Sequence, residues 1–201
     1  MNSPKITALL FLAMASITRA DLDFTPTVTR YFNEGAEYSN VKFKNDKKVV
    51  MLTLPRLWEC RGSSSKLQLL PPDQKFAEGT LEAVPTKSPL RFDEATLKTL
   101  EQQALATLPP GSQGAAIVSQ QENPVILEQN MSYEFVATYQ LLGETFQRSL
   151  IYVSCPDTTL VFRFTAPKKA FDVLNRSFRQ SLYSWQSTAP TAETAAAFAS
   201  K

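Results

Sequence analysis

The side chains that could do chemistry are few in this sequence, and one kind is missing: among its 201 residues there is no histidine. Its absence removes the commonest general base near neutral pH and the commonest zinc ligand, and with them Ser-His-Asp and Cys-His catalysis. Carboxylate pairs, Ser-Lys dyads and all-oxygen cation sites stay open, but none has a recognisable spacing here. Asp21, Asp23, Glu34 and Glu37 could offer oxygen ligands, yet they lack the alternating acidic spacing and central glycine of a calcium loop. No catalytic residue, cofactor motif or metal set is identified, and a non-enzymatic protein is the expectation. Two acceptor patterns for glycosylation occur, Asn130-Met131-Ser132 and Asn175-Arg176-Ser177, the second within a helical stretch.

Two cysteines, Cys60 and Cys155, are the remaining reactive groups. An exported chain with an even count usually pairs them, and this bridge would close a loop of about 95 residues, on the order of 4 to 5 kcal/mol in chain-entropy arithmetic. The competing reading is two buried thiols acting as small hydrophobes. Trp58 and Trp185 are candidate anchors for a partner, since binding energy concentrates on such side chains. Each reads more readily as a core residue.

The compartment that decides the cysteine question is set by residues 1–20, MNSPKITALLFLAMASITRA. A cationic start with Lys5 leads into an apolar run from Ile6 to Ile17, too short to span a bilayer, and ends at the small-residue site Thr18-Arg19-Ala20. These residues read as a signal peptide, with a mature chain beginning at Asp21 in the periplasm or outside the cell. No cysteine stands at the cleavage point to take a lipid, and no later stretch is long and apolar enough for a membrane span. The formal charge of +2 rests on Lys5 and Arg19, so the mature chain is neutral. Nucleic-acid binding needs a basic surplus on one face, and the short clusters Lys42-Lys44-Lys47-Lys48 and Arg163-Lys168-Lys169 read better as solvated surface.

The elements that must position these groups follow from pattern. Residues 21–40 show no period and read as a loosely attached lead-in. VKFK (41–44) and KVVMLTL (48–54) flank Asn45-Asp46-Lys47 and form a hairpin. Short strands follow around Leu57–Cys60, at KLQLL (66–70) and at GTLEAV (79–84), punctuated by Gly62-Ser63-Ser64-Ser65, Pro71-Pro72 and Pro85. From Asp93 the period changes: Leu97, Leu100, Ala104 and Leu108 draw one stripe of an amphipathic helix with Asp93 as its N-cap. Ala115–Ser119 and Pro124–Leu127 return to short β runs, separated by QQEN. A meander follows, from Tyr133–Leu141 through Phe146–Ser154 to Thr159–Phe164. Thr165 then caps a helix whose stripe is Phe171, Leu174, Phe178, Leu182 and Trp185, with Pro167 near its first turn. Residues 187–201, rich in Ala and Thr, read as a mobile tail.

The strand VVMLTLPRLW (49–58) and the closing block SLIYVSCPDTTLVFRFTAPKKAFDVLNRSFRQSL (149–182) resemble the PsbP-like family, which includes lumenal PsbP proteins, Ran-binding Mog proteins and many exported bacterial proteins. The match covers about residues 41–186 and rests on pattern: a strand ending in phenylalanine-x-alanine leads directly into the last helix, as in LVFRFTAPKKAF. The resemblance implies an α+β fold, an α/β/α sandwich with a central antiparallel sheet and a long C-terminal helix. It brings no catalytic motif, and the histidine that some photosynthetic members use is absent here.

Three functions are compatible with these features. The first is an exported binding domain for a protein or envelope component. The second is a carrier of a small apolar ligand or lipid, since an aromatic-rich sandwich could hold a pocket between sheet and helix. The third is a hydrolase working without histidine.

Overall fold

The structure, a computed structural model, describes residues 22–45 and 48–189. The expected signal peptide and the chain beyond 189 lie outside the described residues. Strands β1 (Leu22–Asn33) and β2 (Ala36–Asn45) are joined by Glu34-Gly35, whose positive φ values of 50° and 77° make the tight two-residue hairpin turn. β3 (Lys48–Thr53) pairs with β2 as the hairpin pattern predicts, and the short β11 (Gln186–Thr188) pairs with β3, giving a sheet of order β1-β2-β3-β11.

The second sheet has seven antiparallel strands. They are β4 (Glu59–Ser63), β5 (Lys66–Leu70), β6 (Glu78–Pro85), β7 (Gln113–Glu122), β8 (Ser132–Leu141), β9 (Glu144–Ser154) and β10 (Thr158–Pro167), in the order β4-β5-β6-β10-β9-β8-β7. Two helices, α1 (Glu94–Ala106) and α2 (Lys168–Tyr183), complete the described elements.

This corrects the expected fold. The described residues are mostly β, two antiparallel sheets with two helices, and not an α/β/α sandwich with a long C-terminal helix. The cause lies in the segment taken as a loose lead-in. Its Thr, Val, Tyr and Phe residues favour extended backbone, and it forms β1 and the start of β2. The alternation was masked because the register with β2 shifts between Asp23 and Thr27, around Pro26, which cannot donate to a ladder. The start of β1 crosses β4 at close quarters. Phe24 N–H donates to the Ser64 carbonyl at 3.3 Å, and any Cβ at Gly62 would strike the Phe24 carbonyl oxygen.

The main core fills the space between the sheets. Phe24, Val41, Phe43, Val50 and Leu52 of the small sheet meet Leu67, Leu69, Leu81, Ile151, Phe162 and Phe164 of the large one. α2 closes the same side, burying Phe171, Phe178 and Leu182 of its predicted stripe. The Phe178 ring lies against Gly79 so closely that a Cβ there would come within 2.6 Å of it. Arg179 on α2 reaches Glu134 of β8, which is 1% exposed and also accepts from Ser149 Oγ. β10 runs into α2 without a side-chain cap: Pro167 takes the cap position, and Thr165, the expected N-cap, stays in the strand. The two runs predicted at 115–119 and 124–127 are one strand, β7, followed by irregular chain with an isolated bridge at Leu127. Its glutamines are tolerated because β7 is the exposed edge of the sheet.

Candidate functional site

Because side chains alternate along a strand, the large sheet has a second face, and α1 packs on it. Asp93 caps that helix as predicted, its carboxylate accepting from Thr96 N–H at 2.9 Å, a bond that lowers the Asp93 pKa. Leu100 and Ala104 bury against Tyr133, Phe135, Leu150 and Tyr152. A single helix about 10 Å wide spans only two or three strands spaced roughly 4.8 Å apart. α1 lies over β7 to β9, so the apolar side chains of β6 and β10 on this face are left without a cover.

The result is a groove of about 530 Å³ between α1 and the sheet. Leu100, Leu150, Tyr152 and Val161 make its floor, and Val84 and Leu90 its outer wall. Burial pushes the Tyr152 phenol up to about 12, so it stays neutral. Thr86 and Thr159 stand at one end, where Thr159 is 6% exposed. Arg163 stands at the other, four residues further along β10, about 13 Å away. Among the described residues, Thr86 Oγ1, Thr159 Oγ1 and Arg163 Nε have no hydrogen-bond partner. A buried polar atom without a partner costs roughly 1 to 3 kcal/mol, so each leaves hydrogen-bonding capacity unused in the wall of the groove.

Arg148 fixes the far end of the groove. Its Nη1 donates to the carbonyl of Thr107, the C-cap of α1, at 2.5 Å, and its Nε donates to Thr165 Oγ1 at 2.9 Å. A cation at a helix C-terminus complements the dipole there. Burial lowers the Arg148 pKa, and the nearby Tyr139 ring, 5.8 Å from the guanidinium carbon, opposes that shift.

The residues singled out in the sequence lie elsewhere. Trp58 is 7% exposed and stacks on Phe164 at 5.9 Å, so it is a core residue with no anchoring surface. Trp185 is half-buried against Phe43 and Phe162 and lines a smaller cavity of about 80 Å³ with Cys155. Cys60 and Cys155 are free thiols, each packed against the rim of the main core, and not the expected disulfide. The ladder explains it. Cys60 aligns through Leu69, Gly79 and Phe164 with Ser149 of β9, and Cys155 lies six residues beyond Ser149. Four strands across, about 19 Å, and six residues along, about 20 Å, put the two roughly 28 Å apart along the sheet, where a bridge needs Cα atoms within about 7 Å. Burial raises both thiol pKa values to about 11. Asn175 is 6% exposed on α2, which leaves no room for a glycan.

One exposed feature was missed in the sequence. The hairpin of β1 and β2 runs on past the end of β3 as a two-stranded arm, since β3 pairs with β2 only from Asn40 to Asn45. Tyr31 and Tyr38 stack across this arm at 5.5 Å, and Phe32 is 76% exposed.

No family model and no curated protein sequence matches the chain. Among solved structures it is similar to PA94, a protein of unknown function from Pseudomonas aeruginosa, with a TM-score of 0.45 and 12% identity over 82% of this chain and 99% of that one. It is also similar to the cyanobacterial PsbP of Synechocystis sp. PCC 6803, with a TM-score of 0.43 and 10% identity over 85% of this chain and 95% of that one. A PsbP is thus among the structures it resembles, but at these scores the likeness carries no argument about family or function.

Proposed function

We propose that this chain is an exported, non-enzymatic binding domain that holds a small apolar molecule in the groove between α1 and the large sheet. The observation that carries this reading is the groove itself: about 530 Å³ with an apolar floor and a few convergent polar groups. Small-molecule sites have that character and run from roughly 300 to 1,000 Å³. The non-enzymatic part rests on the missing histidine, and export rests on residues 1–20. Among the described residues no helix is long and apolar enough to cross a membrane.

The test is titration with the apolar fluorophore N-phenyl-1-naphthylamine. Ala106 is an exposed helical residue lining the groove, so Ala106→Trp fills the site without touching the core. Saturable binding lost in Ala106→Trp supports the reading, and equal binding by both proteins sinks it.

A second reading, docking to a protein or envelope partner, is favoured by the aromatic arm. Crosslinking from a residue placed at position 32, in the native envelope, separates the two: an adduct to one defined partner supports docking, and recovery of the domain alone counts against it.

A further inference from the structure

Resting on the groove as the binding site, we infer that its ligand is an amphiphile with a carboxylate head, and that Arg163 is the residue that recognises the head. The face around Arg163 carries Lys66, Arg148 and Arg163 against Glu78 and Glu82, one cation in excess. Of the three cations only Arg148 is held by hydrogen bonds. Arg148 is bonded to Thr107 and Thr165, and Lys66 sits 3.6 Å from Glu82. Arg163 is held more loosely: its Nη1 pairs with Glu82 Oε1 at 3.9 Å, an ion pair without a hydrogen bond, and its Nε has no hydrogen-bond partner among the described residues.

A guanidinium whose Nε lacks a partner and whose Nη1 is held only by a long ion pair can turn its fork toward a carboxylate, which accepts it side-on through two parallel bonds. From that point the groove runs about 13 Å over Val161, Tyr152 and Leu150 toward Thr159. An alkyl chain follows such a floor, because every methylene it buries is favourable. The polar end at Arg163 and the apolar run beside it therefore select a fatty acid over a neutral or cationic molecule of the same length.

The experiment compares dodecanoate with dodecanol by calorimetry on the full mature chain, and then on Arg163→Met and Arg163→Lys. In the unmodified protein dodecanoate binds about tenfold more tightly than dodecanol, the worth of a charge-assisted bond. Arg163→Met loses that preference and keeps dodecanol affinity within about twofold, while Arg163→Lys, with charge but no fork, falls between. If Arg163→Met does not fold, the preference in the unmodified protein and the response of Arg163→Lys still decide. Equal binding of both ligands overturns the carboxylate inference and leaves the groove standing. Failure of both to bind overturns the groove as well.

Discussion

The ion pair between Arg179 and Glu134 joins α2 to the large sheet, and breaking it from one side should cost more than breaking it from both. Glu134 is 1% exposed, and the Arg179 side chain is 23% exposed, so the carboxylate is the deeply buried partner. Arg179→Met leaves that carboxylate inside the protein with Ser149 Oγ as its main remaining donor. Stranding a buried charge costs about 3 to 5 kcal/mol, a third or more of an ordinary domain's stability. With a urea slope of roughly 2 kcal/mol per molar, the unfolding midpoint should fall by about 2 M. Glu134→Gln should cost less, because Arg179 can turn toward water and Gln121, which it already touches at 3.3 Å. The double variant Glu134→Gln/Arg179→Met should be more stable than Arg179→Met alone, since a neutral amide needs no counter-charge. Trp58 and Trp185, both packed against the main core, report the transition by fluorescence. Binding in the groove, on the opposite face of the sheet, should not change in any of them. An Arg179→Met cost below about 1 kcal/mol, the size of a surface pair, would refute the reasoning. So would a double variant less stable than the single one.

Two further outcomes follow from the packing. Gly79→Ala places a methyl within 2.6 Å of the Phe178 ring and should destabilise by about 1 to 3 kcal/mol in the same urea assay, with Phe178→Leu partly rescuing it. The two thiols should give an intact mass without the two-dalton deficit of a bridge, and they should alkylate slowly at pH 8 because burial holds both near 11. Unfolded thiols ionise near 9, so between about 9 and 11 the folded chain holds more protons and stability declines as pH rises, with Tyr152 adding to the decline above about 10. Cys60→Ala/Cys155→Ala should flatten the first part of that decline.

What could be read in the sequence was local. The meander β8-β9-β10, the strands β5 and β6, the capping of α1 by Asp93 and the stripe of α2 all follow from spacing and stop signals within a few residues. The fold class did not, because it turned on β1, whose alternation is broken at Pro26 and whose partner is β2. The cysteine reading failed for a similar reason: parity and export suggest a bridge, but only the register shows how far apart the ladder holds Cys60 and Cys155. The groove carries no motif at all. Thr159, Val161 and Arg163 share one face of β10 by simple alternation, yet their lack of cover depends on where α1 lands, some 60 residues earlier in the chain. Arg163 reads in the sequence as part of a solvated basic cluster, and nothing local shows that it lines the groove with its Nε lacking a hydrogen-bond partner.

The most direct measurement is methyl chemical-shift mapping of the mature chain titrated with dodecanoate. The expected result is saturable perturbation of Val84, Leu100, Leu150 and Val161, the residues lining the groove, with Val50, Leu67 and Leu182 of the main core unmoved. Perturbation confined to the main core, to Val28 at the base of the aromatic arm, or absent altogether at saturating ligand would contradict a binding site between α1 and the large sheet.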